Sequence, residues 1–176
     1  SDYYVREAAA QALEMLGDKS CIPALSKMLD GGIEAAVMVP GKPHLVQPYD
    51  AILEALGTLE ATEAMSAIEL FLQHPVKRVE YAAARAMYQL TGEAIYGERL
   101  TQGLNADDLQ LRRAALMDLG AIGYLGAAKP IAETLAENSM KLIALKGILE
   151  HHLQGVKSDR LSEEAIAVMN LMDSLL

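Results

Sequence analysis

Aromatic residues and cysteine are scarce in this sequence. Among 176 residues there are one Cys, one Phe and no Trp. A single cysteine excludes an internal disulfide framework and a cysteine-rich zinc site. Hydrophobic residues nevertheless make up 52% of the chain, so small aliphatic side chains must fill the core. Abundant Ala, Leu and Met, with few β-branched runs, favour helices over strands.

Positive charge and long apolar runs are also missing. Lys and Arg number 15 against 24 Asp and Glu, which gives a formal net charge of −9 and a surface that repels nucleic acid. No stretch approaches the about 18 uninterrupted apolar residues of a membrane span, so we expect no contact with a membrane. The lone cysteine suits a reducing compartment, and we expect a cytoplasmic protein. Ser1 opens the chain inside a patterned segment, which indicates a piece of a longer protein.

One pattern recurs about every 30 residues along the chain. Residues 2–17 (DYYVREAAAQALEMLG) align with residues 108–123 (DLQLRRAALMDLGAIG), and further copies place Pro48, Val79 and Met140 where the first has its valine. Between these marked segments lie other segments with apolar residues at spacings of three and four. Such a repeat predicts an all-α solenoid, a right-handed superhelix of helix pairs.

The apolar spacing and the turn residues set the expected helix bounds. Asp18 and Asp108 are suited to cap helix N-termini, and the whole of residues 1–176 is expected to form a single repeat domain. We expect helices near 2–16, 20–30, 48–59, 62–73, 76–90, 93–104, 108–122, 126–137, 139–152 and 161–175.

Residues 31–47 interrupt the period. This segment lengthens one repeat by roughly a dozen residues and is rich in Gly and Pro, so it is predicted to be an inserted loop with room for a short helical turn. Long loops on rigid scaffolds often carry function, although an insertion can also do no more than pack on the array. Both interpretations stay open at the level of the sequence.

The quoted pattern, with its closing Leu-Gly-Asp, resembles the HEAT-like repeats of the phycobilin lyase group. Within that group, residues 34–50 (EAAVMVPGKPHLVQPYD), 79–91 (VEYAAARAMYQLT) and 119–125 (LGAIGYL) are similar to the E-type, CpcE-like subunits of the heterodimeric phycocyanobilin lyases. The resemblance implies a HEAT-like α-solenoid. E-type chains carry further repeats upstream, so the resemblance also implies that this chain is a C-terminal part and is inactive on its own.

The resemblance implies an enzyme subunit, a carbon–sulfur lyase. Together with an F-type partner subunit it would attach phycocyanobilin through a thioether to a cysteine of the phycocyanin α subunit, or detach it, near the phycobilisomes. Phycocyanobilin would be the substrate, and no cofactor is expected. The alternative is a non-catalytic HEAT-repeat adaptor, or a phycobilisome-degradation factor, that only binds phycobiliproteins.

In HEAT-like arrays the marked helices line the concave face. Helical projection places residues such as Glu54, Arg85 and Arg113 on that face, opposite the apolar stripe. A linear tetrapyrrole needs cations for its propionates, a carboxylate for its pyrrole N–H groups and apolar walls. A solvated helix face of chance composition is the alternative for any one of these residues. The candidate bilin ligands are Tyr49, Glu54, Tyr81, Arg85, Tyr88, Arg113 and Lys146.

Candidate catalytic residues lie in and just after the insertion. His44 and Asp50 could perform the proton transfers of thioether addition, although an exposed and inert loop histidine is the simpler interpretation. His151 and His152 point about 100° apart on a helix and cannot easily share an ion, so no metal site is expected. Cys21 is predicted to be a small packing residue rather than a covalent bilin carrier.

Two structural roles complete the expectations. Arg6 and Arg112 are predicted to bond the turn aspartate of a neighbouring repeat. The apolar stripe of the first marked helix is predicted to be core, with an uncapped face that associates with other subunits. The stripe consists of Val5, Ala8, Ala9, Ala12, Leu13 and Leu16, and the uncapped face of Val5, Leu13 and Leu25–Leu29.

Overall fold

The computed structural model describes residues 2–154 and 161–176. Across these ranges it contains eleven α-helices and no strand longer than an isolated bridge between Met38 and Leu45, which confirms the all-α prediction. The helices are α1 (Tyr3–Leu16), α2 (Ile22–Lys27), α3 (Gly32–Ala35), α4 (Tyr49–Thr58), α5 (Met65–Leu70), α6 (Lys77–Thr91), α7 (Ala94–Thr101), α8 (Leu109–Ile122), α9 (Ala128–Glu133), α10 (Asn138–Leu153) and α11 (Glu163–Asp173). Five short 3₁₀ segments adjoin four of these helices, at Lys19–Cys21, Thr62–Ala64, Phe71–Gln73, Gln102–Asn105 and Leu125–Ala127.

Local chemistry explains where the helices begin and end. The side chain of Asp108 accepts a hydrogen bond from the backbone N–H of Leu111 at 3.0 Å, and Asp18 caps the 3₁₀ turn that leads into α2. Gly17 and Gly123 follow α1 and α8 in the left-handed conformation that stops a helix. The predicted helix 126–137 is shorter, because Thr134 is already extended.

The chain forms two compact units, an N-terminal unit (Ser1–Glu93) and a C-terminal unit (Ala94–Leu176). In the N-terminal unit α4 packs against both α1 and α6, and its side chains Ile52, Leu53 and Leu56 are fully buried. In the C-terminal unit α8 packs on α10. The helices α1, α4 and α6, like α8 and α10, belong to the marked set, so successive marked helices lie side by side within each unit.

The first helix departs from its predicted packing. Val5 is 59% exposed and Leu16 is 77% exposed, so the prediction that the apolar stripe of α1 is core was wrong. Ala10 is the buried residue of α1, because α1 meets α4 through its other side. The predicted uncapped face is therefore present on α1 itself, whereas Leu25 and Leu29 are buried. Association through this face stays a prediction. The remaining exposed stripe residues are Ala8, Ala9 and Ala12.

Candidate functional site

The insertion folds into a compact, hydrogen-bonded loop after the single turn of α3. The N–H of Val46 donates to the carbonyl of Val37 at 3.0 Å, and the N–H of Val39 donates to that of His44 at 3.1 Å. Gly41 adopts a φ of 72° at the tip, a conformation that side chains other than glycine rarely allow. These contacts give residues 37–46 one defined conformation and place His44 on its returning arm.

A buried histidine anchors the base of the insertion. Nδ1 of His74 accepts a hydrogen bond from the N–H of Val76 at 3.1 Å, so the proton of the neutral ring is on Nε2. Nε2 lies 2.8 Å from the carbonyl oxygen of Ala36 and donates to it. His74 is 3% exposed, and the ring therefore links the segment before α6 to the start of the insertion. The repeat pattern gave no signal for this residue.

The first turn of α1 holds the other arm of the insertion. The imidazole of His44 stacks on the ring of Tyr3, with centroids 4.3 Å apart and planes inclined by 15°. Tyr4 meets the same imidazole edge-on at 5.9 Å. One turn along α1, Nη2 of Arg6 donates to the carbonyl of Val46 at 3.0 Å. Arg6 was predicted to bond the turn aspartate of a neighbouring repeat, whereas this hydrogen bond goes to the backbone of the insertion.

His44 presents one ring nitrogen for chemistry. Its Nδ1 lies 2.9 Å from the carbonyl oxygen of Leu45, and because a carbonyl only accepts, Nδ1 carries the proton of the neutral ring. Nε2 then has the lone pair, and it has no hydrogen-bond partner among the described residues. Partial burial, together with the negative charges of Asp50 and Glu7, raises the pKa of the Tyr3 hydroxyl to about 12. Of the two predicted catalytic residues, His44 thus stacks on Tyr3, and Asp50 acts on the Tyr3 hydroxyl through its charge.

A network of opposite charges crosses α1, α4 and α6. Arg85 reaches Glu14 at 3.4 Å and Glu54 at 3.7 Å, and Arg78 pairs with Glu54 and lies 3.7 Å from Asp50. The side chains of all five residues are half-buried, and the most exposed of them, Arg78, is 32% exposed. Arg78 was missed by the sequence analysis because it precedes the marked Val79 instead of following it. The network extends through Glu14 to the hydroxyl of Thr58 at 2.7 Å.

Two of the predicted bilin ligands are buried. Tyr49 is 2% exposed and packs on Phe71 with centroids 5.2 Å apart, and Tyr81 is 6% exposed. Burial raises the pKa of both hydroxyls. Tyr81 therefore does not lie on an open helix face as the helical projection has it, and the role of both rings as bilin ligands stays a prediction. Tyr88 is half-buried, and Glu54 and Arg85 are bound to each other.

In the C-terminal unit the predicted cations are also paired. Arg113 forms an ion pair with Glu137, at the N-terminus of α10, and that contact raises the pKa of Arg113 and lowers the pKa of Glu137. Lys146 lies 3.5 Å from Glu150 and is largely exposed. Beside Lys146, α8 and α10 border an open groove of about 270 Å³. The groove is lined by Met117, Gly120, Ala121, Ile143, Ala144, Lys146, Gly147 and Glu150.

Three further residues named from the sequence, Arg112, Cys21 and His152, make local hydrogen bonds within the fold. Nη1 of Arg112 donates to the carbonyl of Ala106 at 2.6 Å, in the loop before its own helix, so the predicted bond to a neighbouring repeat's aspartate is wrong. Sγ of Cys21 donates to the carbonyl of Asp18, and burial raises the pKa of the thiol. Nε2 of His152 lies 2.8 Å from the hydroxyl of Ser162.

The described part of the chain contains neither a metal-binding cluster nor a membrane-spanning helix. Within 2–154 and 161–176 no cluster of three or more His, Cys, Asp and Glu side chains is arranged to hold a metal ion. Over the same ranges, no helix has the length and apolar character needed to cross a membrane.

Comparison with known proteins gives close relatives. The PBS lyase HEAT-like repeat family matches residues 5–31. The phycocyanobilin lyase subunit alpha of Nostoc sp. PCC 7120 is 64% identical over an alignment of 176 residues, which covers 99% of this chain and 64% of that protein. The protein of the same name from Synechocystis sp. PCC 6803 is 55% identical over 208 residues, covering 99% of this chain and 76% of that protein.

A solved structure is similarly close. It is the complex of CpcE and CpcF of phycocyanin lyase from Nostoc sp. PCC 7120, and it matches with a TM-score of 0.91 and 64% sequence identity. The match covers 99% of this chain and 64% of that chain. The HEAT-like repeat fold expected from the sequence is therefore confirmed, and the chain spans less than two thirds of the length of these Nostoc relatives.

Proposed function

Because the chain belongs to the family of phycocyanobilin lyase alpha subunits, we propose that it acts, with an F-type partner subunit, in attaching phycocyanobilin to a cysteine of the phycocyanin α subunit. The observation that carries the proposal is the extent of the likeness, which runs over 99% of the chain and so includes the insertion. In a repeat fold the generic helices are shared widely, whereas an ordered insertion is a specific feature.

Thioether formation needs a base close to the thiol of the phycocyanin cysteine. Thioether formation joins the cysteine sulfur to one carbon of a bilin double bond, and the thiol proton ends on the neighbouring carbon. We assign the proton transfers to Nε2 of His44, which has a lone pair and no partner among the described residues. Asp50 lies in the first turn of α4, and its charge acts on the Tyr3 hydroxyl, so we keep it as the second candidate for these proton transfers.

The bilin ligands are assigned to the exposed or half-buried members of the predicted set. Arg113 and Lys146 in the C-terminal unit are the cations for the propionates, since both are accessible and, among the described residues, each pairs with one exposed carboxylate that a propionate can replace. In the N-terminal unit Glu54, Arg85 and Tyr88 remain candidates. There Arg85 has two carboxylate partners, so a propionate must displace at least one of them.

Reconstitution tests the proposal. The chain, and a version extended with the part of the Nostoc relative that lies outside the match, are each mixed with an F-type subunit, phycocyanobilin and apo-phycocyanin α. We expect a coloured, fluorescent adduct that survives denaturation in acidic urea, and a strongly reduced yield for His44→Gln in the version that is active. The control omits the F-type subunit.

A different result would favour the alternative function. The paired cations of the N-terminal unit also suit a surface that grips another protein without binding a bilin. If the extended version binds phycocyanin α in sedimentation but forms no covalent adduct with the F-type subunit present, the chain is an adaptor and the lyase proposal is wrong.

A further inference from the structure

Tyr3 is placed to control His44, although the sequence analysis did not single it out. His44 follows Pro43 in a loop, where no helix or strand restricts its side chain. The only ring that lies parallel to the imidazole among the described aromatic contacts is that of Tyr3, 4.3 Å away, whereas Tyr4 touches it edge-on. Parallel stacking restrains both the tilt and the position of an imidazole, and an edge contact at 5.9 Å restrains it less.

The same helical turn holds the insertion by its backbone. Tyr3 and Arg6 are three residues apart and lie on one side of α1. Tyr3 contacts the side chain of His44, and Arg6 donates to the carbonyl of Val46, two residues further on. The returning arm of the insertion is therefore held at two points. The stacked ring position is also the one in which Nδ1 of His44 donates to the carbonyl of Leu45.

The Tyr3 hydroxyl is not itself suited to be the base. Burial and the charge of Asp50 raise its pKa to about 12, so the phenol keeps its proton at neutral pH. Its contribution is made by the ring.

We propose that Tyr3 is a positioning residue, whose ring holds the His44 imidazole in the orientation and tautomer that leave Nε2 open for proton transfer. The inference rests on the proposed function only for its catalytic consequence, because the orientation of the ring can be measured without any substrate. Misplacing a reacting group by about 1 Å can cost on the order of 10²-fold in rate, so loss of the stack should be visible in catalysis.

The first test is the tautomer of His44. Histidine labelled with ¹⁵N in the full chain reports which ring nitrogen is protonated, through the chemical shifts of the neutral ring. In the parent protein and in Tyr3→Phe, which keeps the ring and loses the hydroxyl, we expect the Nδ1–H form. Tyr3→Leu should move these shifts towards a mixture of both tautomers. Tyr4→Leu is the matched control and should leave them close to the parent values.

The second test is the rate of bilin attachment by the extended chain with its F-type partner. Tyr3→Leu should lower kcat by about tenfold or more with little change in KM, and Tyr3→Phe should restore the parent rate. If Tyr3→Leu keeps both the melting temperature and the His44 shifts of the parent, the inference is overturned; an effect of Tyr3→Phe as large as that of Tyr3→Leu overturns it too. If the parent forms no adduct at all, the proposed function fails, and the tautomer measurement still decides the role of Tyr3.

Discussion

Gly57 of α4 packs directly against Ala86 of α6. A Cβ atom placed on Gly57 would lie 2.6 Å from Cα and 2.9 Å from Cβ of Ala86, and 2.5 Å from Oε1 of Gln89. The Gln89 side chain can turn away, but no change of rotamer moves the Cα and Cβ atoms of Ala86. The absence of a side chain at Gly57 therefore sets how closely α4 and α6 approach.

Substitution of Gly57 by Ala should consequently destabilise the N-terminal unit. A glycine-to-alanine change within a helix ordinarily gains up to about 1 kcal/mol in helix propensity. Here overpacking against Ala86 should cost about 1–3 kcal/mol, so the net free energy of unfolding should fall. Urea denaturation followed by circular dichroism measures it, with Ser66→Ala on the exposed side of α5 as the control. A Gly57→Ala protein as stable as the parent would contradict the close packing of the two helices.

Substitution of Arg85 should affect stability as well as any bilin binding. Because Arg85 is a candidate ligand of a bilin propionate, its replacement by Ala should weaken bilin binding by about tenfold or more. The Arg85 side chain is 13% exposed and contacts Glu14 and Glu54, so its removal leaves carboxylates without their cation in a partly buried site. We therefore also expect a loss of about 1–3 kcal/mol in the free energy of unfolding. In a double-mutant cycle, Glu14→Gln should recover part of it; strict additivity would argue against the ion pair.

Alkaline pH should weaken the fold in part through Tyr3. The pKa of its hydroxyl is raised from 10.0 to about 12 in the folded chain, so the stabilisation is present below pH 10 and is lost as the pH rises towards 12. Tyr3→Phe removes the ionisable group, and this variant should lose less stability than the parent between pH 10 and 11. Urea midpoints at pH 9, 10 and 11 measure the difference. Tyr4→Phe, at a more exposed ring, serves as the control and should follow the parent.

Substitutions of the two residues of the Arg113–Glu137 ion pair should change bilin binding in opposite directions. If Arg113 binds a propionate, Glu137 competes for the same guanidinium. Glu137→Gln should then strengthen phycocyanobilin binding by the assembled pair of subunits, and Arg113→Ala should weaken it by about tenfold or more, as expected for the loss of a charge-assisted hydrogen bond. Absorbance titration with the bilin measures both. Unchanged binding in Arg113→Ala would rule out Arg113 as a ligand of the bilin propionates.

Local patterns were enough to predict the helices. Apolar spacing, capping aspartates such as Asp108 and glycines such as Gly123 act within a few residues of themselves, so the sequence alone indicated most helix bounds and the loop nature of residues 31–47. It also placed His44 and Asp50 close together in the chain, because the insertion ends where α4 begins, and their catalytic role stays a prediction.

Only the tertiary structure decided which faces are covered and which charges meet. Helical projection put Tyr81 on an open face and Val5 in the core, and both assignments were reversed because burial depends on the elements packed nearby. Likewise Tyr3 meets His44, and Arg85 meets Glu14 across 71 positions of the chain. The sequence determined which side chains share a face of each helix. The packing of helices that are distant in the chain determined what each side chain touches, because the period of a helix contains no information about its neighbours.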